Sequence, residues 1–124
     1  MAGQNLKGFA RIYAAFFHSI RGFKATWMHE EAFRQEVYLF VLAGPLGLWL
    51  GETPMEKVLL TGSIILVMIV ELLNTGIEIV VDRISFERHE LSGRAKDVGS
   101  AAVLSSLALA ALTWGLIMWP KLPI

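Results

Sequence analysis

Acidic side chains interrupt an otherwise apolar run at residues 64–82. At 100° per residue, the polar residues of this run fall within an arc of about 100° on one helix face. These polar residues are Glu71, Asn74, Thr75, Glu78 and Asp82. A carboxylate near the centre of a bilayer is disfavoured by at least ~2.5 kcal/mol, so it usually faces a partner, a cavity or a substrate. The pattern predicts a functional stripe on a membrane helix, with interhelical hydrogen bonding as the structural alternative.

The two glutamates of the stripe are suited to different tasks. Glu71 and Glu78 are separated by roughly 10 Å along a helix axis. A deeper Glu71 would be partly desolvated, as suits a general base, whereas Glu78 near the surface could stay ionised on a metal. We therefore expect base chemistry at the first position and metal binding at the second.

Carboxylates of two further segments could converge with the stripe at one membrane surface. They are Glu30, Glu31 and Glu36 in the first segment, and Glu87, Glu90 and Asp97 in the second. Oxygen ligands without Cys or His pairs suit Mg²⁺, which takes one or two carboxylates together with phosphate oxygens. Arg94 and Lys96 could hold those phosphates. The pattern indicates Mg²⁺-dependent phosphate chemistry, and a solvated, positively charged loop is the alternative.

The elements that would position these groups are all helical. We expect an all-α membrane protein with three transmembrane helices and an N-terminal amphipathic helix in the membrane interface. Residues 6–27 carry aromatic and aliphatic side chains on one side and basic ones on the other. Residues 30–51, 56–82 and 98–119 would cross the bilayer, and residues 83–97 would form a charged loop. No linker divides the chain, so residues 1–124 are expected to be one domain.

Composition and charge limit the class of protein. The 124 residues are 55% hydrophobic and carry no net charge and no cysteine. Zero net charge gives no reason to expect a nucleic-acid partner, and the lack of cysteine excludes disulfides and thiolate metal sites. No P-loop, dinucleotide-binding, zinc-protease or nucleophile-elbow motif occurs. Because three thin helices cannot enclose a substrate pocket, we expect several copies of the chain to assemble.

Basic residues are distributed unevenly about the expected spans. Nine of the eleven lie on the side of the N-terminus and the charged loop, and only Lys57 and Lys121 lie on the other. The positive-inside rule then predicts a cytoplasmic N-terminus and an external C-terminus. Trp49, Trp114 and Trp119 fall at the outer ends of their spans, where aromatic belts lie.

Three strings closely resemble the bacterial integral-membrane diacylglycerol kinases. They are EAFRQE at residues 31–36, VMIVELLNTGIEIVVDRI at 67–84 and HELSGRAKDVGSAAVL at 89–104. The resemblance implies a homotrimer of three-span subunits with active sites shared between neighbours. It also implies transfer of the γ-phosphoryl of MgATP to the hydroxyl of diacylglycerol, which gives phosphatidic acid.

The same resemblance implies roles for individual residues. Glu71 would be the general base with Asn74 as its polar support, and Glu30 and Glu78 would bind the metal ion. The residues implied to meet ATP are Arg11, His18, Glu30, Glu78, Glu87, His89, Lys96 and Asp97. The residues implied to line the path of the lipid substrate are Arg11, Ser19, Trp27, Arg34, Gln35, Trp49, Glu71 and Ser100.

Three positions depart from the family pattern near the nucleotide, namely His18, Phe86 and Arg88, and they leave nucleotide preference open. Undecaprenol kinase is the close alternative for the acceptor, although the amphipathic N-terminus and EAFRQE favour diacylglycerol. A small multidrug-resistance-type transporter, which also carries a membrane-embedded Glu, is the alternative in another class. A non-catalytic assembly subunit is a third.

Overall fold

The computed structural model describes residues 5–123 of the chain. Within this part the element order is α1 (Gly8–His29), α2 (Glu31–Leu50), α3 (Pro54–Ile84) and α4 (Glu90–Met118), followed by a 3-10 turn at Trp119–Lys121. The described residues contain no β-strand. The prediction of an all-α fold is confirmed. The chain divides into two compact units, one ending at Glu30 and the other beginning at Glu31.

The first unit consists of α1 and its flanking residues. Its aromatic side chains pack on one another, with the rings of Tyr13 and Phe17 meeting edge to face at 4.7 Å between centroids. The backbone turns extended at Glu30, whose N–H still donates to the carbonyl of Thr26 at 2.9 Å. Phe9, Ile12 and Phe16 remain exposed, as on the apolar face of an interfacial helix.

The second unit is built around α3, which packs against α2 on one side and α4 on the other. Leu60 and Val67 on α3 are fully buried, and Val67 forms a core cluster with Ile64 and with Ala110 of α4. Dispersion contacts and close backbone approach hold helices together in an apolar environment, so small side chains are expected where helices meet. The central helix therefore fixes the positions of both neighbours.

Close approach of α2 and α3 depends on Gly47. A Cβ atom at this position would lie 3.0 Å from the Cβ atom of Leu60 and 3.0 Å from Oγ1 of Thr61. The hydroxyl of Thr61 donates to the carbonyl of Gly44 at 3.1 Å across the same contact. Gly47 thus lets the two helices approach closely, and the backbone carbonyl of Gly44 adds a polar contact between them.

The fourth helix begins earlier than the hydropathy of the sequence indicates. Its first residue is Glu90, with His89 as N-cap, whose Nδ1 accepts a hydrogen bond from the N–H of Leu91 at 3.1 Å. The apolar run starts only at Val98. An apolar run marks membrane-facing residues, whereas a cap marks where helical hydrogen bonding starts. The expected loop at residues 83–97 is therefore corrected to a short connection between Ile84 and Glu90.

Among the residues that the structure describes, two helices are long and apolar enough to cross a membrane. Their most apolar stretches have mean hydropathies of 2.3 in Pro54–Ile84 and 1.9 in Glu90–Lys121. Most of these side chains are exposed, as expected where a helix meets lipid or another copy of the chain. Trp114 was expected in an aromatic belt at the membrane surface. It is instead half-buried, and its indole N–H donates to the carbonyl of Leu60 at 2.9 Å.

Charged groups fasten the end of the unit that lies opposite the connection between α3 and α4. Nζ of Lys121 contacts Oε1 of Glu52 and Oε1 of Glu56, each at 2.9 Å. Thr53 caps α3, because its Oγ1 accepts from the N–H of Glu56 at 3.1 Å. The segment after α4 is thereby joined to the link between α2 and α3.

Candidate active site

The polar stripe of α3 faces the interior of the second unit. Glu71 and Asn74 are 5% and 8% exposed, whereas Leu73 between them is 66% exposed. Thr75 is also buried, and Glu78 and Asp82 are half-buried towards the end of the helix. The helix thus directs its acids away from the surface that would meet lipid, as the sequence pattern indicates.

Asn74 lies at the centre of this stripe and is hydrogen-bonded to Glu78, one turn further along α3. Its Nδ2 donates to Oε1 of Glu78 at 3.3 Å. Its Oδ1 is buried and has no hydrogen-bond partner among the described residues. A buried amide oxygen without a partner is disfavoured, so this atom is a candidate ligand for a substrate or a cation.

Gly99 of α4 makes room for that amide. A Cβ atom built on Gly99 would collide with Oδ1 of Asn74. Sequence reasoning did not include Gly99 among the site residues. The sequence feature that could have identified it is a glycine two residues after Asp97, at the point where α4 packs against the polar stripe.

Glu36 of α2 completes the buried part of the site, and the sequence placed it among the carboxylates that could converge with the stripe without giving it a role. It is 8% exposed, interacts electrostatically with Glu71, and keeps Oε2 without a hydrogen-bond partner among the described residues. The signal for its burial is helical spacing, because Phe33 lies three residues before it and Phe40 four residues after it. Phe33 is buried and Phe40 packs against the core.

An open cleft of about 460 Å³ lies at the charged end of the second unit. The end of α3, the connection and the start of α4 line it, including Glu87, His89 and Lys96. Its size is within the range of small-molecule sites. Of the positions that depart from the family pattern, Phe86 and Arg88 also line this cleft. Asp97 is exposed and does not belong to its lining.

A salt bridge closes one wall of the cleft. Nζ of Lys96 lies 2.7 Å from Oδ1 of Asp82. The salt bridge joins the end of α3 to the polar first turns of α4. The hydrogen bond to Asp82, and then the carboxylate charge itself, raise the pKa of the Lys96 amine above its usual value. Lys96 therefore stays a cation that could exchange Asp82 for a phosphate oxygen.

The other expected lipid-path residues of the second unit lie on α2 and α4. Arg34 holds Glu31 at 2.7 Å, and Gln35 and Ser100 are exposed. Trp49 is 78% exposed and stands roughly 20 Å along α2 from Glu36, at 1.5 Å per residue. A lipid that touched both Trp49 and Glu71 would have to run along the length of α2.

Five expected site residues belong to the first unit, which is described by itself. Arg11, Ser19 and Trp27 are exposed, and the hydroxyl of Ser19 donates to the carbonyl of Ala15 at 3.0 Å. His18 is half-buried, and its Nδ1 accepts a hydrogen bond from the guanidinium of Arg21. Glu30 is half-buried at the end of α1. Their part in a site shared with α3 stays a prediction.

The donor atoms near Asn74 fit a hard divalent cation bound jointly with phosphate. Residues 5–123 contain no group of three or more acidic or histidine side chains placed to hold a metal ion alone. Glu78 supplies carboxylate oxygens, and the buried Oδ1 of Asn74 is a further oxygen donor. Mg²⁺ commonly binds through one or two carboxylates and completes its shell with water and substrate phosphates.

Comparison with known proteins covers nearly the whole chain. Residues 17–118 match the family model described as prokaryotic diacylglycerol kinase. The diacylglycerol kinase of Escherichia coli strain K12 is 51% identical over 115 residues, which are 93% of this chain and 94% of that protein. Those of Haemophilus influenzae and Pseudomonas aeruginosa are 46% and 44% identical, over 90% of this chain and 95% and 90% of their own lengths. The family match includes all of α2, α3 and α4.

Proposed function

We propose a lipid-kinase reaction from the premise that the chain belongs to the prokaryotic diacylglycerol kinase family. The reaction transfers the γ-phosphoryl group of ATP to the free hydroxyl of 1,2-diacylglycerol and yields phosphatidic acid. It takes place at the cytoplasmic face of the inner membrane. The observation that supports it most strongly is the buried carboxyl of Glu71 on an apolar helix, one turn from Asn74.

Phosphoryl transfer requires mainly positioning and neutralisation of charge, which these helices can supply without a soluble kinase fold. Glu71 accepts the proton of the acceptor hydroxyl as the new bond from oxygen to phosphorus forms. The bond between the γ-phosphorus and its bridging oxygen breaks, and ADP leaves. Asn74 orients Glu78 through its 3.3 Å hydrogen bond.

The cleft at the charged end accommodates the nucleotide. Lys96 exchanges its contact with Asp82 for a phosphate oxygen, and His89 and Glu87 contact the rest of the nucleotide from the connection. Asp97 and the first-unit residues Arg11 and His18 add further contacts. ATP therefore enters the site from the water and the lipid hydroxyl enters from the membrane, because α3 extends into both.

Mg²⁺ is the cation that the donor atoms suit, and Glu78 and Glu30 would hold it. When bound, it would neutralise charge on the phosphates of ATP. Glu30 belongs to the first unit, so its approach to Glu78 is part of the proposal.

The proposed assembly is a homotrimer of three-span subunits, with α2 as the additional span and α1 at the interface. Two observations support several copies. The cleft is open on one side, and long apolar faces of α3 and α4 remain exposed in the single chain. A neighbouring subunit would close the site, and Ser19, Trp27, Arg34, Gln35, Trp49 and Ser100 would then line the lipid path.

The experiment is transfer of labelled phosphate from ATP to a panel of lipid alcohols in bilayers, with Mg²⁺ present or chelated. We expect phosphatidic acid from diacylglycerol, no product without Mg²⁺, and a raised KM for MgATP in Glu78→Gln. Glu52→Gln, in the link between α2 and α3 at the opposite end of the unit, is the matched control and should behave as wild type. Preferential labelling of undecaprenol would assign the acceptor differently. Cation uptake without labelled lipid would instead favour the transporter.

A further inference from the structure

The connection between α3 and α4 carries an aromatic side chain that the mechanism above does not use. Phe86 is 88% exposed and lines the open cleft. Of the described residues that line this cleft, Val81 is the other one with an apolar side chain, and it is buried. An exposed apolar ring inside a water-filled cleft is stabilised when a ligand covers it.

Hydrogen bonds at both ends hold the connection in shape. Ser85 follows the last residue of α3, and its N–H donates to the carbonyl of Val81 at 3.3 Å. The Oγ atom of Ser85 accepts from the N–H of Glu87 at 3.0 Å, which forms a turn with Phe86 at its tip. His89 then caps the start of α4. The ring of Phe86 is therefore carried by a short turn that is anchored on both sides.

The charged side chains of the same cleft indicate what kind of ligand the ring would meet. Arg88 and Lys96 supply cations for phosphate oxygens, and Lys96 lies roughly 9 Å along the axis of α4 from Glu90. An aromatic ring on the connection and a lysine nearly two turns into α4 match the base and the phosphates of a nucleotide. Glu87 and Glu90 also line the cleft. Carboxylates accept hydrogen bonds from ribose hydroxyls but repel an anionic lipid surface, so the lining favours a nucleotide.

We propose that Phe86 forms the base subsite of the nucleotide cleft, with its ring stacked on the purine of ATP. The inference rests on the proposed function above and adds a specificity-determining residue to it. Because Phe86 departs from the family pattern, the contact is a property of this chain and not of the family at large. Stacking accepts any base, since every base has a π face. It strengthens binding in the ground state and the transition state alike, because the base lies away from the transferred phosphoryl group.

The kinetic test compares wild type with Phe86→Leu, Phe86→Tyr and Ile84→Ala in the labelled-phosphate assay. Phe86→Leu keeps an apolar side chain but loses the aromatic face, so the KM for MgATP should rise about tenfold while kcat stays the same. Phe86→Tyr keeps the ring and should remain within about twofold of wild type in KM. Ile84→Ala is the matched control, because Ile84 is 75% exposed and lies outside the lining, and its KM for MgATP should not change. A raised KM for diacylglycerol in place of that for MgATP would show that the ring meets lipid, and would overturn the proposal.

Calorimetric binding without turnover separates this proposal from the proposed function. Inorganic tripolyphosphate with Mg²⁺ has the phosphates of ATP but no base, so wild type and Phe86→Leu should bind it equally, whereas Phe86→Leu should bind MgATP about tenfold more weakly. Equal losses for both ligands would mean that the cleft is distorted and would refute stacking, as would wild-type affinity of Phe86→Leu for MgATP. A wild-type protein that binds MgATP but labels no lipid would contradict the proposed function, while these affinities would still decide on Phe86.

Discussion

Replacement of Gly99 by alanine tests how closely α4 must approach the catalytic stripe. A Cβ atom at this position collides with Oδ1 of Asn74 and lies 3.2 Å from its Cγ. The amide cannot stay where it is, so its hydrogen bond to Glu78 should break or weaken. We expect Gly99→Ala to lower both stability and kcat.

Two opposing effects set the size of the stability change. Alanine favours the helical conformation over glycine by about 1 kcal/mol. Forcing a methyl group into a packed contact is unfavourable by about 1–3 kcal/mol, and a lost hydrogen bond adds about 1 kcal/mol. The clash is therefore larger than the gain in helix propensity, and we expect a net destabilisation of about 1–3 kcal/mol. Displacement of Asn74 should lower kcat by at least about tenfold.

The assay is unfolding in mixed micelles by SDS, followed by circular dichroism, together with phosphate transfer to diacylglycerol. Gly115→Ala is the matched control, because Gly115 lies on the same helix and an added Cβ meets nothing within 4 Å. Gly115→Ala should leave kcat unchanged and should not lower the SDS concentration at the midpoint of unfolding. A Gly99→Ala protein as stable and active as Gly115→Ala would refute the contact between α4 and Asn74.

Two further substitutions probe the contacts that hold α3 in place. Trp114→Phe removes the indole donor to the carbonyl of Leu60 and should lower the free energy of unfolding by about 1 kcal/mol without changing the KM for ATP. An unchanged SDS midpoint would show that the bond does not contribute. Lys121→Met removes contacts to Glu52 and Glu56, so it should lower the thermal midpoint at low salt. The difference from wild type should shrink at about 0.5 M NaCl, where surface charges are screened, and a salt-independent difference would indicate lost packing instead.

Helical periodicity was sufficient to anticipate the orientation of α3. Glu71 and Asn74 share a face at 100° per residue, and that face is buried while Leu73 is exposed. The reason is that a one-sided polar stripe in an apolar helix leaves only one orientation in which its acids avoid lipid. The all-α fold class was predicted from helical periodicity in the first segment and from the apolar length of the others.

Contacts between helices were beyond the reach of periodicity. The approach of Gly99 to Asn74 depends on the register of α4 against α3, and the nearness of Glu36 to Glu71 depends on how α2 packs. Neither is encoded within one helix. The early start of α4 was missed for a related reason, because His89 acts as a cap and lies outside the apolar run.

The relation of the first unit to the catalytic stripe is the part of the site that still rests on resemblance. Arg11 and Glu30 carry expected roles, but neither motif nor spacing fixes their distance from Glu78. Cross-linking of cysteines placed at Glu30 and Glu78 would test whether the two positions meet within one subunit or between two.

The most direct measurement of the central claim is transfer of labelled γ-phosphate from ATP to diacylglycerol by wild type and Glu71→Gln in identical bilayers. With ATP binding followed in parallel, we expect Glu71→Gln to bind nucleotide as wild type does and to lose at least about 100-fold in kcat. Transfer at the wild-type rate by Glu71→Gln would contradict its role as the base.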